Sequence, residues 1–293
     1  MSKKTGLSKD WAYGFVRGYK AGFNPRQMHI RKTLSDGLDV RMPIKDGYQL
    51  FTSDDFTGTK EIVTLCQQIA AEKINNPSKY YEFNKKKKGF LLALLNGDEI
   101  LAIPEIINFA VSKQIIDRVT QYFSSIPLLA GVRLWWSPPN NSLHESQLFH
   151  LDTEDQTQLK MFININNVTE QHGPLAFLPA THSTERLHFL STRALYQKKY
   201  FNYRWQDDEI LSPENKQHLI KLVGTAGSGA FVDTSRCLHY GSRENSYDRV
   251  VLMIHFQRID APRLSNAFFR IPSNYPLLSS LTKTQRLVLG FTK

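Results

Sequence analysis

The spacing of apolar residues changes near residue 126, from a helical period to a strand period. Residues 57–74 and 104–126 carry apolar side chains three and four positions apart, which is the spacing of one buried helix face. Each stretch therefore predicts one helix. In the first stretch, Thr57 or Thr59 is the expected N-cap, and in the second, Pro104 stands near the first turn.

Beyond residue 126 the apolar runs are short and alternate with polar residues. They are bounded by Pro, Gly and Asn and read GVRLWWS, LKMFININNV, LAFLPATH, LIKLVG, GAFVDT and RVVLMIHFQRI. Alternation with many β-branched and aromatic residues is typical of strands, and a series of such runs favours an antiparallel sandwich or jelly roll. We therefore expect a mainly β fold with α: a double-stranded β-helix (jelly roll, cupin-like) core with an N-terminal helical annex.

The 293 residues fit a single domain, 1–293, with several parts. We expect an irregular N-terminal arm at 1–54, a helical support at 55–125, the jelly-roll core at 126–262 and a C-terminal tail at 263–293. Residues 183–215 interrupt the core and are too long and polar for a hairpin loop, so they are a candidate lid. The aromatic residues of this insertion are candidate substrate contacts: Tyr196, Tyr200, Tyr203 and Trp205.

The net charge of +10 raises the question of a nucleic-acid partner. The dense basic run is NKKKK at 84–88, without the wide basic patch and interleaved aromatics of nucleic-acid-binding modules, so we expect a solvated loop and no nucleic-acid partner. No stretch approaches eighteen uncharged apolar residues, so we expect no membrane span. Cys66 and Cys237 are far apart in sequence, which favours reduced thiols in a cytoplasmic protein.

The segment FHLDTED, 149–155, contains candidate metal ligands. His150 and Asp152 are two residues apart, so on a strand their side chains share a face. Two histidines and one carboxylate on one face of an octahedral metal are the ligand set of non-haem Fe(II) oxygenases. His239, which follows the strand GAFVDT and precedes a Gly-containing turn, is the best candidate for the third ligand.

Arg249 is a candidate anchor for an organic dicarboxylate. It opens the apolar strand RVVLMIHFQ ten residues after His239, where an unpaired charge is costly. An oxygenase that uses 2-oxoglutarate needs a cation for the distal carboxylate, and arginine can bind a carboxylate through two parallel hydrogen bonds.

Over about residues 130–260, the chain resembles the phytanoyl-CoA dioxygenase (PhyH)-like family of Fe(II)/2-oxoglutarate-dependent oxygenases. The resemblance rests on ordered pieces: QLFHLDTED, LKMFININNVTEQHGPLAFLPATHS, GSGAFVDTSRCLHYGS and Arg249. PATHS stands where the family usually has Pro-Gly-Ser-His. The serine that often follows the distal histidine by two residues is Gly241 here, with Ser242 one further on, which leaves the role of Ser242 open.

The resemblance implies Fe(II) and 2-oxoglutarate as cofactors, with O2 and a small organic molecule as the other reactants. His150, Asp152 and His239 would hold the iron and Arg249 the 2-oxoglutarate, with Lys160 and Gln147 as further cofactor-binding candidates. No catalytic residue beyond the metal centre is expected. Related halogenases lack the metal carboxylate, so Asp152 favours a hydroxylase.

Three residues near the motifs have other predicted places. Arg133 alternates with apolar neighbours in GVRLWW and can project into the barrel mouth as an anion contact, whereas Trp135 is expected in the core. His255 lies inside an apolar strand and is expected to be a core or rim histidine.

Two alternative functions remain open at this stage. One is a cupin-like metal enzyme that does not use 2-oxoglutarate, and the other is a non-catalytic jelly-roll binding module.

Overall fold

The computed structural model describes residues 15–20, 22, 25–35, 45–76, 89–191, 204–262, 264 and 271–291, without the side chains of 188–191. Residues 15–20 are helical, and the further helices within these ranges are α1 (Pro25–Thr33), α2 (Thr59–Asn75), α3 (Gly97–Leu101), α4 (Pro104–Ala110), α5 (Lys113–Phe123), α6 (Ala180–Ser191), α7 (Asp207–Ile210), α8 (Pro213–Lys216) and α9 (Lys283–Val288). The strands are β1 (Tyr48–Phe51), β2 (Leu92–Ala93), β3 (Leu128–Ser137), β4 (Leu159–Asn164), β5 (Ala176–Phe177), β6 (Ile220–Lys221), β7 (Gly229–Asp233), β8 (His239–Tyr240) and β9 (Arg249–Gln257).

The strands form antiparallel sheets, as the alternating pattern predicted. Within the described residues, one sheet has six strands in the order β1-β7-β4-β9-β3-β2, and a smaller one has three in the order β6-β5-β8. The mixed α and β composition with antiparallel sheets agrees with the coarse prediction. The finer division of the chain into arm, helical support, core and tail stays a prediction.

The two faces of the larger sheet have different chemistry because successive side chains of a strand alternate. On β9, Val250, Leu252 and Ile254 belong to the main apolar core, which also contains buried residues of α2, α4 and α5. The alternate residues of β9, beginning with Arg249, point to the opposite face. That face meets the smaller sheet, since Phe177 of β5 clusters with Val232 of β7.

Several local predictions differ from the structure. Gly58, in a left-handed conformation with φ of 87°, caps α2, so neither Thr57 nor Thr59 is the N-cap. Glycine adopts this conformation without the steric cost that a threonine would have. Thr59 is instead the first helical residue, and its hydroxyl donates to the carbonyl of Phe56 at 2.7 Å.

The helix predicted over 104–126 is two helices, α4 and α5. The chain leaves the helical conformation at Ser112, where φ is −63° and ψ is 149°. This break lets each helix bury its own apolar face, with Ile107 of α4 and Ile115 of α5 both fully buried. Apolar spacing alone did not reveal it because Val111, next to the break, is also fully buried.

The arm expected to be irregular contains α1 and β1, and β1 forms an edge of the larger sheet. In the insertion at 183–215, the described residues belong to α6, α7, α8 and their connections. Trp205 is buried and packs in an apolar cluster with Phe149. Its side chain therefore belongs to this cluster, whereas the sequence suggested a contact to the substrate. Tyr196, Tyr200 and Tyr203 lie outside the described residues, as does the basic run at 85–88.

Both cysteines are free and buried. Across the described ranges, the helices are all too short or too polar to cross a membrane.

The buried side chain of Arg31 ties α1 to distant parts of the chain. Its guanidinium donates to the carbonyls of Ile126 at 3.1 Å, Pro127 at 2.8 Å and Leu287 at 2.6 Å. The residue is 1% exposed, and burial lowers its pKa to about 10. One side chain thus joins α1, the start of β3 and α9.

We expect Arg31→Ala to lower the free energy of unfolding by about 3 kcal/mol, because it leaves buried carbonyls without donors. Arg26→Ala, on the exposed side of α1, is the matched control and should change it by less than about 0.5 kcal/mol. Urea denaturation of the three proteins measures the difference. Equal effects of the two substitutions would contradict this role of Arg31.

Candidate metal centre

His150 and His239 are brought together by a reciprocal pair of backbone hydrogen bonds. The amide of each donates to the carbonyl of the other at 3.0 Å. His150 therefore extends the smaller sheet beside β8, although it lies in a connection by sequence. Residues paired in this way project their side chains to the same face, and the two ring centroids are 4.1 Å apart.

Asp152 completes the group. Its amide donates to the carbonyl of Thr234 at 2.9 Å, directly after β7. One potential ligand atom from each of His150, Asp152 and His239 lies within 4.8 Å of the others. The structure thus brings the three predicted ligands together into a group that could hold a metal ion.

The two imidazoles are oriented by backbone carbonyls. Nδ1 of His150 lies 2.9 Å from the carbonyl oxygen of Leu148, and Nδ1 of His239 lies 2.9 Å from that of Cys237. Because a carbonyl can only accept, each Nδ1 carries the hydrogen and each Nε2 keeps its lone pair. This is the tautomer that binds a metal through Nε2.

The protonation states also suit a metal. Burial lowers the pKa of both histidines, that of His150 to well below its usual value, so both are neutral near pH 7. Burial acts to raise the pKa of Asp152, but the charge of Lys160 and the nearby histidines outweigh it and hold the pKa below its usual range. Two neutral imidazoles and a carboxylate are the ligand forms that divalent metals require.

Lys160 forms an ion pair with Asp152. Its Nζ lies 2.6 Å from Oδ2 of Asp152, and both side chains are less than one-fifth exposed. Burial acts to lower the pKa of Lys160, but the carboxylate outweighs it and raises the pKa. The structure therefore pairs Lys160 with a candidate metal ligand, and the role of Lys160 as a contact to a bound co-substrate stays a prediction.

Arg249 is a buried cation that lines one cavity together with His150, Asp152 and His239. It is 6% exposed, and burial lowers its pKa to about 10. Nη2 donates to Oγ of Ser242 at 2.7 Å, whereas the buried Nε has no hydrogen-bond partner among the residues described. None of the described carboxylates forms an ion pair with it. A buried guanidinium without a counter-charge is a ready site for a carboxylate.

The turn after His239 explains how Ser242 reaches Arg249. Ser242 has a left-handed backbone conformation with φ of 62°, which is uncommon for a residue other than glycine. Gly241 lies beside the guanidinium, where a Cβ would make an ordinary contact with Nη2 of Arg249 at 3.5 Å. Ser242 therefore contacts the arginine although it stands one position later than the serine of the family that the sequence resembles, and the spacing did not indicate this contact.

One cavity of about 250 Å³ contacts both the His-Asp-His group and Arg249. Lys160, Ser242 and Trp135 also line it. The prediction that Trp135 belongs to the core is wrong, because Trp135 alternates with the buried Leu134 and so faces the smaller sheet.

Gln147 is fully buried beside this cavity without lining it. Its Nε2 donates to Asn140 Oδ1 at 2.9 Å and to the carbonyl of Ser242 at 2.6 Å, and its Oε1 accepts from the amide of His144 at 3.0 Å. The amide thus holds the Ser242 turn in place. Its assignment as a co-substrate contact stays a prediction.

No protein-family model matches the sequence, and no curated protein matches it. The fold is similar to that of the epimerase SnoN, crystallised in complex with Fe3+, alpha ketoglutarate and nogalamycin RO. The TM-score is 0.50 at 14% identity, over 85% of this chain and 91% of SnoN. At this identity the similarity shows a shared fold.

Further solved structures align less closely. EctD from S. alaskensis with 2-oxoglutarate and 5-hydroxyectoine gives a TM-score of 0.48 at 14% identity, over 74% of each chain. HygX from Streptomyces hygroscopicus with nickel and 2-oxoglutarate gives 0.44 at 9% identity, over 73% of this chain and 84% of HygX.

We expect Lys160→Met to lower the free energy of unfolding of the metal-free protein by about 3 kcal/mol, because the buried carboxylate of Asp152 loses its counter-charge. Added Ni²⁺ should stabilise this variant more than the wild type, since the ion replaces the missing charge. Denaturation with and without Ni²⁺ measures both effects.

Lys221→Met is the control, because Lys221 pairs with Glu170 at the surface. This substitution should lower the free energy of unfolding by less than about 1 kcal/mol. If Ni²⁺ stabilises wild type and Lys160→Met equally, Asp152 does not take part in binding the ion.

Proposed function

We propose that this protein is an Fe(II)- and 2-oxoglutarate-dependent oxygenase that hydroxylates a small organic substrate. The observation that carries the proposal is one cavity with a His-Asp-His group at one place and the buried, uncompensated guanidinium of Arg249 at another. A dicarboxylate that chelates a metal with one end needs such a cation for the other end. The resemblance to PhyH-like oxygenases and the fold shared with SnoN support the same reading, with a double-stranded β-helix as the core.

The chain's own residues bind and orient the reactants. Nε2 of His150, Nε2 of His239 and a carboxylate oxygen of Asp152 would hold Fe(II), leaving positions open for other ligands. Arg249, steadied by Ser242, would hold the distal carboxylate of 2-oxoglutarate. When bound, the iron and 2-oxoglutarate supply an O2-dependent oxidation of a C–H bond to an alcohol, in which 2-oxoglutarate becomes succinate and CO2.

We expect wild-type protein mixed anaerobically with Fe(II) and 2-oxoglutarate to show a visible charge-transfer band that Asp152→Ala lacks. The substitution removes the carboxylate ligand, so metal affinity should fall by at least about 100-fold. Asp54→Ala, which removes an exposed carboxylate, is the control and should keep the band. A wild type that binds neither Fe(II) nor 2-oxoglutarate would refute the proposal.

Arg249→Met should weaken 2-oxoglutarate binding by about 100-fold while the metal content stays unchanged, because the distal carboxylate loses its charged partner. Calorimetric titration of 2-oxoglutarate into the metal-loaded proteins measures the affinity. The control Arg118→Met removes a cation that lies over the Phe56 ring, and it should leave the affinity for 2-oxoglutarate unaltered. Unchanged 2-oxoglutarate affinity in Arg249→Met would favour a cupin-like metal enzyme that does not use this co-substrate.

A further inference from the structure

Arg133 lies on the inner face of the larger sheet, which is the face that carries the cavity-lining residues. On β3, Arg133 is two residues from Trp135, so both side chains point to the same face of the sheet, and Arg133 pairs with Met253 of β9. Both Trp135 and Met253 line the cavity, so the side chain of Arg133 starts on the cavity side of the sheet. Within the described chain, its guanidinium donates one hydrogen bond, to the carbonyl of Val132 at 2.8 Å, and has no carboxylate partner.

His255 occupies the next inner position on β9. It pairs with Lys160 on one side and with Gly131 on the other. The residue is 4% exposed, and its Nε2 has no hydrogen-bond partner among the described residues. Burial, followed by the charge of Lys160, lowers its pKa well below the usual value, so the ring is neutral. A buried ring nitrogen without a partner costs free energy unless a ligand satisfies it.

There is room for a ligand beside this histidine. A Cβ at Gly131, directly across from His255, would meet no described atom within 4 Å. Glycine at this position has an ordinary backbone conformation, so a turn does not require it. Its effect is to leave open space between Arg133 and His255.

The smaller sheet supplies a second arginine near the metal group. Phe149 and Trp205 exchange both backbone hydrogen bonds, at 3.0 and 2.9 Å, which places Arg204 across from His150. His239 flanks His150 on its other side, so Arg204, His150 and His239 form a row whose side chains share one face. The charge of Arg204 acts on both histidines, and Asp152 acts on Arg204 in turn.

We propose that Arg133 and His255 form a subsite for an acidic group, a carboxylate or a phosphate, on the substrate to be oxidised, and that Arg204 adds positive charge beside His150 and His239. This inference rests on the proposed oxygenase function for the neighbouring metal centre, and it names the substrate class of that site. Arginine is suited to both kinds of oxyanion. Nε2 of His255 can donate a further hydrogen bond to the oxyanion in the neutral tautomer that carries the hydrogen on Nε2.

This subsite is distinct from the one at Arg249. Met253, the partner of Arg133, lies four residues from Arg249 on β9, which is about 13 Å along an extended strand. Arg249 lines the cavity together with the metal group, whereas Arg133 starts from a separate place on the same face of the sheet. Two cations at separate places therefore indicate two acidic reactants, the co-substrate at Arg249 and the substrate at Arg133.

The test is a calorimetric titration of the full chain, loaded anaerobically with Fe(II) and saturating 2-oxoglutarate. The probes are benzoate and phenyl phosphate, compared with neutral benzamide and benzyl alcohol. We expect at least one anion to bind wild type about tenfold more tightly than its neutral counterpart. The tighter of the two anions identifies the acidic group. Arg133→Met and His255→Asn should each lose the preference, and Arg133→Lys should keep part of it.

Two controls separate this inference from the proposed function. Arg118→Met removes a distant positive charge and should keep the anion preference, while Arg133→Met should keep wild-type affinity for 2-oxoglutarate. If wild type binds neither Fe(II) nor 2-oxoglutarate, the oxygenase proposal fails, and the same titrations on metal-free protein still measure the preference. The subsite is refuted if wild type does not prefer the anions, if Arg133→Met and His255→Asn both retain the preference, or if Arg133→Met loses 2-oxoglutarate.

Discussion

The register of β3, β4 and β9 is the constraint on which the site depends. In all three strands, one set of alternate residues is apolar and packs with the helices, and the other set carries the side chains of the cavity. A slip of one residue would put Arg249 into the helix-facing core and Leu252 into the cavity. The apolar packing that stabilises the fold therefore also fixes where the charged groups lie.

The buried charged side chains of the protein differ in the partners that neutralise or solvate them. Asp152 and Lys160 compensate each other at 2.6 Å, so the metal group does not present an isolated carboxylate to the protein interior. Arg31 donates to three backbone carbonyls, which tie elements together. Arg249 has only the neutral hydroxyl of Ser242 among described residues. Desolvation of a charge is tolerated where a ligand supplies the counter-charge, and this difference separates Arg31 from Arg249, for which we propose a binding role.

Sequence alone located the residues whose signal is local. His150 and Asp152 share a face by their spacing, and Arg249 is conspicuous because it opens an apolar strand. His239 was reached from the order of the strands, and the structure places it against His150 as that order required. The helix break at Ser112 was missed because its flanks are apolar, and the cap at Gly58 because it depends on a left-handed φ.

Other residues of the site could not be predicted, because their positions depend on pairing between distant segments. Arg204 has its place only because Trp205 pairs with Phe149, across more than fifty positions of sequence. The open side of His255 depends on glycine at 131 in the neighbouring strand. The sequence did not show which of the adjacent residues Trp135 and Trp136 faces the cavity. The register of β3 shows that it is Trp135.

The placement of these cations also bears on how reactants would enter. Lys160 and Arg249 line the cavity with the metal group and the charge of Arg204 acts on its histidines, whereas Asp152 is the one acidic residue among the described residues lining the cavity. Walls of low dielectric focus such a field, so anions are drawn in. Because Lys160 is already neutralised by Asp152, the field is strongest toward Arg249, which has no carboxylate partner among the described residues. Arginines at separate places on the sheet would let two anions bind together, whereas a single shared cation would let one anion exclude the other.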